Sequence, residues 1–464
     1  MAFLPVDISE IKNNEPLDFV LISADAYIDH PSFGHAVISR VLESKGFSVG
    51  IIAQPDWRNP NAFKKLGKPK LGFLVSTGNI DSMVNNYSVT KNRRKQDVYS
   101  PGGKLGLRPD RPGIVYTKML KKVYPDVPVI IGGIEASLRR FAHYDYWDDE
   151  VKQSILVESG ADILSYGMGE RCMVQIAQNL RDGVDEFVRG CCYLRDDIDG
   201  IEDCKILPSY EQVRDYKSQF NTAFKLRFEE QNSPKSPIIV QPHGTKYLIQ
   251  MPPQHPLSVE EMDEIYDLPF ERAQHPMYKE EIPALEEIGF SITAHRGCYG
   301  GCAFCALIFH QGRIIQNRSI DSIVREAEKI SKLPGFKGNI HDVGGPTANF
   351  HKPACKRQEF GDVCKHRQCL FPTACPNLKV DHSEWMECLE QVKEVEGIKR
   401  VFVRSGIRFD YLLREKDKGV LDELVANHIS GQLKIAPEHI SDNVLRYMGK
   451  PCSNEYKAFV RKYN

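Results

Sequence analysis

The chain has 464 residues, 41% hydrophobic and 27% charged, with 61 Lys+Arg against 62 Asp+Glu for a formal net charge of −1. That length suits roughly three domains of ~150 residues, and the composition excludes intrinsic disorder, collagen-like repeats and a global attraction for nucleic acid or anionic membrane. No apolar run reaches the ~18 residues of a membrane span, and the start lacks a cationic stretch followed by an apolar one, so a cytoplasmic protein is expected.

Leu17–Ser23 reads as an apolar strand. A helix is predicted over about His35–Ser44, where Ala36, Val37, Ile38, Val41 and Leu42 recur near helical spacing, and Gly46 stops it before strand Phe47–Ala53. Further strands are predicted at Leu71–Ser76, Val127–Gly132 and Asp162–Tyr166, then a helix over about Cys172–Leu180. The basic run Lys91–Lys95 reads as a solvated loop. Strands alternating with helices predict an α/β fold: a doubly wound parallel sheet, Rossmann- or flavodoxin-like, over residues 1–190. Prolines cluster from Pro234 to Pro283, and helical periodicity survives mainly around Tyr210–Glu229, so residues 191–289 are expected to form a Pro-rich connector. From Phe290 the alternation resumes. Strands are predicted at Phe290–Ala294, Lys337–Val343, Arg400–Arg404 and Gly431–Ala436, with helices from Ser319, over Ser383–Val395 and Leu421–Asn427, and from Ser441. Four βα units over residues 290–464 predict a partial TIM-like barrel with a Cys-rich insertion at 351–380; a full barrel takes about 250 residues, so closure is not expected.

The chemistry concentrates at Gly297-Cys298-Tyr-Gly-Gly-Cys302-Ala-Phe-Cys305, on the turn after the first of these strands. Three thiolates on one Gly-rich loop suit three irons of a [4Fe–4S] cluster, and Gly297, Gly300 and Gly301 let the backbone wrap closely around it. One iron is then left open for a substrate or cofactor, much as an open position separates catalytic from structural zinc. A zinc site completed by His295 or His310 is the alternative, and with it a zinc-stabilised nucleic-acid or protein interaction module without catalysis.

The C-x3-C-x2-C spacing with Phe304 before its last cysteine resembles the radical SAM superfamily. Gly344-Gly345-Pro346 is similar to the superfamily's glycine pair, which binds the methionyl amino group of S-adenosylmethionine, although Glu usually follows that pair. The segment Asp342–Thr347, Ala436-Pro-Glu-His439 and Val444–Met448 resemble the YgiQ-type radical SAM proteins, whose N-terminal part is similar to cobalamin-binding domains; members carry further C-terminal sequence, so the last barrel strands are expected to be missing. The resemblance implies a [4Fe–4S] cluster on Cys298, Cys302 and Cys305, S-adenosylmethionine chelated at its open iron, and an electron donor of flavodoxin or ferredoxin type. It implies reductive cleavage to methionine and a 5′-deoxyadenosyl radical that acts on an unknown substrate. Arg404 or Arg408 is expected to hold the methionyl carboxylate, Glu438 to reach the ribose or amino group, and His295 and Arg296 to tune the cluster or shape its loop.

Cys355, Cys364, Cys369 and Cys375 form a second group, read either as a structural zinc or auxiliary cluster, with His351 and His366 as substitute ligands, or as free thiols or a disulfide. Cys191, Cys192 and Cys204 are expected to be buried thiols. Domains that coordinate cobalt from below usually carry D-x-H-x-x-G; here Asp29-His30-Pro-Ser-Phe-Gly34 departs from it, so cobalamin is not the expected cofactor, base-off binding being the alternative. Gly132–Glu135 and Tyr166–Glu170 read as βα turns that either line a ligand crevice or are merely tight.

Overall fold

The computed structural model describes residues 3–11, 13 and 15–464. They divide into two units, one of residues 1–254 and 268–286, the other of 255–267 and 287–464.

The first unit is built on a nine-stranded sheet: β1 (Phe19–Ser23), β2 (Val49–Ala53), β3 (Gly72–Ser76), β4 (Val129–Gly132), β5 (Ile163–Ser165), β6 (Cys191–Arg195), β7 (Cys204–Ile206), β8 (Ile238–His243) and β9 (Lys246–Gln250). Their order is β7-β8-β9-β6-β5-β4-β3-β1-β2. The five strands β2-β1-β3-β4-β5 run parallel in the flavodoxin-like order. Their apolar runs are continuous because both faces are covered. Val20, Ile22, Val75 and Ile131 pack with Tyr116 and Leu120 of helix Pro112–Val123 on one face. Phe19, Leu21, Ile51 and Ile130 pack with Leu42 and Ile176, from helices Gly34–Ser44 and Glu170–Asp182, on the other.

The expected connector instead extends the sheet by four strands, with two helices between them. β6 joins β5 antiparallel, β9 and β8 continue antiparallel, and β7 closes the edge parallel to β8. Prolines dominate the joints of this stretch, but Ile239, Val240, Leu248 and Ile249 are buried, and that apolar demand recruits the segment to the sheet. The periodic stretch at 210–229 is two helices, Tyr210–Asp215 and Lys217–Glu230, broken where Tyr216 turns to extended backbone. Residues 268–286 return to this unit, Ala273–Gln274 pairing with Ile28–Asp29.

In the second unit the strands are short. β10 (Ser291–Thr293) runs parallel to β14 (Asp342–Gly344), and β13 (Asn339–Ile340) runs parallel to β15 (Arg400–Val401). Between them β11 (His295–Arg296) pairs antiparallel with β12 (Gln316–Asn317). The strand predicted at Gly431–Ala436 is reduced to one parallel bridge, Ile407 to Ile435. The side-by-side order is that of consecutive βα units, with helices Ile320–Ser331, Ser383–Lys393 and Gly419–Asn427 packing Ile323, Ala327, Leu389 and Leu424 onto the strands. No helix of the described residues is long and apolar enough to cross a membrane.

Candidate metal centre

The loop of 297–315 leaves β11 and returns through β12, so a two-residue ladder clamps its ends. Inside it the Cys298 amide donates to the Gly312 carbonyl at 3.0 Å and the Cys305 amide to the Cys302 carbonyl at 3.2 Å. Gly297 sits at φ +87°, where a Cβ would meet the Ile314 carbonyl oxygen at 2.0 Å, so no other residue fits. Cys298 and Cys302 are buried, Cys305 is half-buried, and Phe304 is exposed. Burial pushes the Cys302 and Cys305 thiols up, although Arg408 and Lys450 pull Cys302 the other way. Bare, these thiols keep their protons; a bound metal cation is what would displace them.

Arg408 is the cation at the sulfurs. Its Nη1 is 3.8 Å from Cys302 Sγ, while Nε and Nη2 grip Asp410 bidentately at 2.8 and 2.7 Å. A Cβ on Gly300 would fall 2.4 Å from the Arg408 Nη1, so that glycine makes room for the guanidinium. Both partners are buried. Against the burial that disfavours its charge, Arg408 holds Asp410 below the usual carboxylate range.

Gly344-Gly345-Pro346 lies against the same loop. A Cβ on Gly345 would meet the His295 ring and carbonyl oxygen, each at 2.7 Å, and one on Gly344 would meet Ser405 Oγ at 2.6 Å. Thr347 follows with Oγ1 3.3 Å from Cys298 Sγ, and its carbonyl accepts from His295 Nε2 at 3.0 Å. His295 is pushed down to about 3 by burial, with His351 adding to it, so its imidazole is neutral.

Two expected residues are placed differently. Arg404 does not reach the cysteines: its backbone amide donates to Asp342 Oδ1 at 2.7 Å and its side chain pairs with Glu287 at 3.3 Å on the surface. Of the two arginines expected to hold the methionyl carboxylate, Arg408 reaches the cysteines, with its Nε and Nη2 already engaged by Asp410. Glu438, at φ +68°, pairs with Lys450 at 3.3 Å and touches the site only through it; buried Lys450 also donates to the Ala436 carbonyl at 2.8 Å, and its ammonium lies 6.0 Å from the Phe304 ring centroid. Thr347, Asp410 and Lys450 had no assigned role in the sequence. The Arg-x-Asp spacing at 408–410 is a signal that could have found one of them; Lys450 has none.

In the first unit Asp29 is committed to buried Arg40, and His30 Nδ1 accepts the Ser32 amide at 3.1 Å. Gly133 at φ +93° is pressed on Thr77, and Glu135 accepts the Ser82 amide at 2.8 Å, so the contacts at Gly132–Glu135 are those of a tight turn. Cys191 and Cys192 are buried as expected, while Cys204, on the edge strand, is only half-buried.

Residues 3–291 match the Radical SAM N-terminal family. The chain is 56% identical over 471 residues to a UPF0313 protein of Clostridium botulinum (strain Kyoto / Type A2), covering 100% of this chain and 73% of that one. It is 52% identical over 471 residues to a UPF0313 protein of Clostridium perfringens (strain 13 / Type A), covering 99% and 71%. Among solved structures, the radical S-adenosylmethionine methyltransferase TsrM from Kitasatospora setae, with cobalamin and a [4Fe-4S] cluster bound, is similar at TM-score 0.50 and 14% identity, over 97% of this chain and 65% of TsrM. The cobalamin-dependent S-adenosylmethionine radical enzyme OxsB, with aqua-cobalamin bound, is similar at 0.50 and 11%, over 97% and 48%. The chain thus spans less than two thirds of each of these solved chains, and the likeness is one of fold. Both accompany cobalamin, so setting that cofactor aside on the strength of Asp29 and His30 is not borne out.

Proposed function

Since this chain belongs to the UPF0313 proteins and is an iron–sulfur enzyme of the radical SAM family, we propose that it reductively cleaves S-adenosylmethionine at a [4Fe–4S] cluster held by Cys298, Cys302 and Cys305. The observation that carries the reading is the convergence on one glycine loop of these sulfurs, the Thr347 hydroxyl and the buried Arg408 guanidinium. The donor set fits the group: soft thiolates, glycines where a Cβ would intrude, and a fixed cation against the sulfurs. When bound, such a cluster supplies an electron to the sulfonium, which separates methionine from a 5′-deoxyadenosyl radical.

The protein's own residues do the rest. Arg408, held by Asp410, offsets the negative charge of the thiolates and favours the reduced state. The Gly344–Gly345 backbone, with no Cβ on either residue, lets Ser405 and His295 pack closely and so holds Thr347 beside Cys298, and its carbonyls are the acceptors for a methionyl amino group. Lys450, paired with Glu438, stands near Phe304 as a polar anchor for the remainder of the cofactor. For cobalamin, the engagement of Asp29 with buried Arg40 favours base-off binding without a ligand from His30.

Anaerobically reconstituted protein, given dithionite and S-adenosylmethionine, is expected to form 5′-deoxyadenosine, and Cys302→Ala to form none. A colourless wild-type protein that holds only zinc after reconstitution overturns the reading.

A further inference from the structure

The second cysteine group lies in a stretch with almost no regular structure. Between β14 and helix Ser383–Lys393 the only helix is the four-residue Lys356–Glu359. Yet the chain there is tightly tied. The Lys379 amide donates to the Ala354 carbonyl at 2.8 Å, which joins the two ends of the insertion, and the Cys375 amide donates to the Cys369 carbonyl at 2.8 Å. Arg313 reaches in from the first loop to the Cys364 and Arg367 carbonyls, both at 3.0 Å, and Gln358, three residues past Cys355, donates to the Arg313 carbonyl at 3.1 Å. Arg313 thereby draws the four cysteine segments together: Gln358, whose amide donates to the Cys355 carbonyl at 2.9 Å, bonds to the Arg313 carbonyl, the Arg313 guanidinium holds the Cys364 carbonyl and the Arg367 carbonyl two residues before Cys369, and Cys369 is tied to Cys375.

Neither bland reading accounts for this. None of the cysteines is in a disulfide, and all four of these are only half-buried, in a segment of Lys, His and Arg, with Cys369 packed against a small apolar cluster. A preformed single-ion zinc site does not account for it either. Tetrahedral Zn–S bonds of about 2.3 Å place sulfurs about 3.8 Å apart, whereas among the described residues the one trio of ligand atoms within 4.8 Å of each other is Glu390, Glu423 and His428. Neither the second group nor Cys298, Cys302 and Cys305 supplies such a trio. Both groups border one small core, in which Tyr299 stacks on Phe350 at 3.7 Å and against which Cys298 and Cys369 both pack.

We propose that Cys355, Cys364, Cys369 and Cys375 hold a second iron–sulfur cluster, closed by four protein thiolates and therefore not a site of cofactor chelation. It staples the insertion that packs behind the first loop, where Gln368 Nε2 donates to the Gly301 carbonyl at 2.7 Å.

The test is iron, sulfide and zinc content of the full chain after anaerobic reconstitution with iron and sulfide. Wild type is expected to hold about eight irons, and the Cys298→Ala/Cys302→Ala/Cys305→Ala variant about four with its brown colour kept. A colourless triple variant without iron overturns the proposal, as does one that holds a single zinc. Cys369→Ser/Cys375→Ser is expected to lose about half the iron; full retention also overturns the proposal, and should that variant fail to fold, the triple variant decides. The two readings fail separately: iron unchanged by the triple variant removes the first site and leaves the second.

Discussion

The two units reach similar α/β order by different means. In the first, β1–β4 are four or five residues long, nearly all buried, and sandwiched by helices on both faces. In the second, strands run two or three residues, and the functional loops are held by glycine close approaches, a buried ion pair and thiols. Apolar area secures the first unit, and it tolerates local change as long as volume is kept. The second unit has its own apolar core behind the strands, but its functional loops depend on contacts that each have one geometry, which makes those loops the more sensitive to change.

The sharpest way to break this contrast is Gly297→Ala. With a Cβ driven onto the Ile314 carbonyl at positive φ, iron at the first site and 5′-deoxyadenosine formation are expected to vanish, while hydrogen exchange in β1–β4 is unchanged. Retained iron would show that the loop tolerates remodelling. Next is Arg408→Met, which strands the Asp410 carboxylate in the interior: roughly 3–5 kcal/mol of local stability is expected to go, read as faster amide exchange around Phe409–Leu412, with none lost in the first unit. Ile131→Ala inverts the pattern. It opens a cavity between sheet and helices for roughly 2–5 kcal/mol, measured by urea unfolding, with iron content the same as wild type. The smallest effect over a single pH unit, at most about 1.4 kcal/mol, is that of acid on the first unit. His143 is pushed down to about 3, by burial and then by Arg139, from 6.5. Its unfolded form therefore binds the extra proton between those values, so its contribution is present in full above pH ~6.5 and is lost as pH falls toward 3. The urea midpoint is expected to drop with acid, less steeply in His143→Gln; an equal slope would mean that other groups govern acid sensitivity.

Much of this was legible. The apolar runs at Leu17–Ser23 and Val127–Gly132 became β1 and β4 with ends shifted by two residues, and the helix over Ser383–Val395 is Ser383–Lys393. Such elements depend on side chains a few residues apart. Residues 191–254 misled because prolines mark the joints of a segment whose buried positions, such as Ile239 and Ile249, are recognised only beside a partner strand. Gly431–Ala436 looked like a strand and is held by a single bridge.

By itself the sequence determined the α/β alternation, the three sulfurs on their glycine loop and the glycine pair beside them, since each is encoded within a window of neighbours where spacing alone sets geometry. The choice of Arg408 over Arg404 and the link from Glu438 through Lys450 were decided only by the tertiary structure. Arg408 and Cys302 lie 106 positions apart, and burial of one side chain against another across that distance leaves no trace in local pattern.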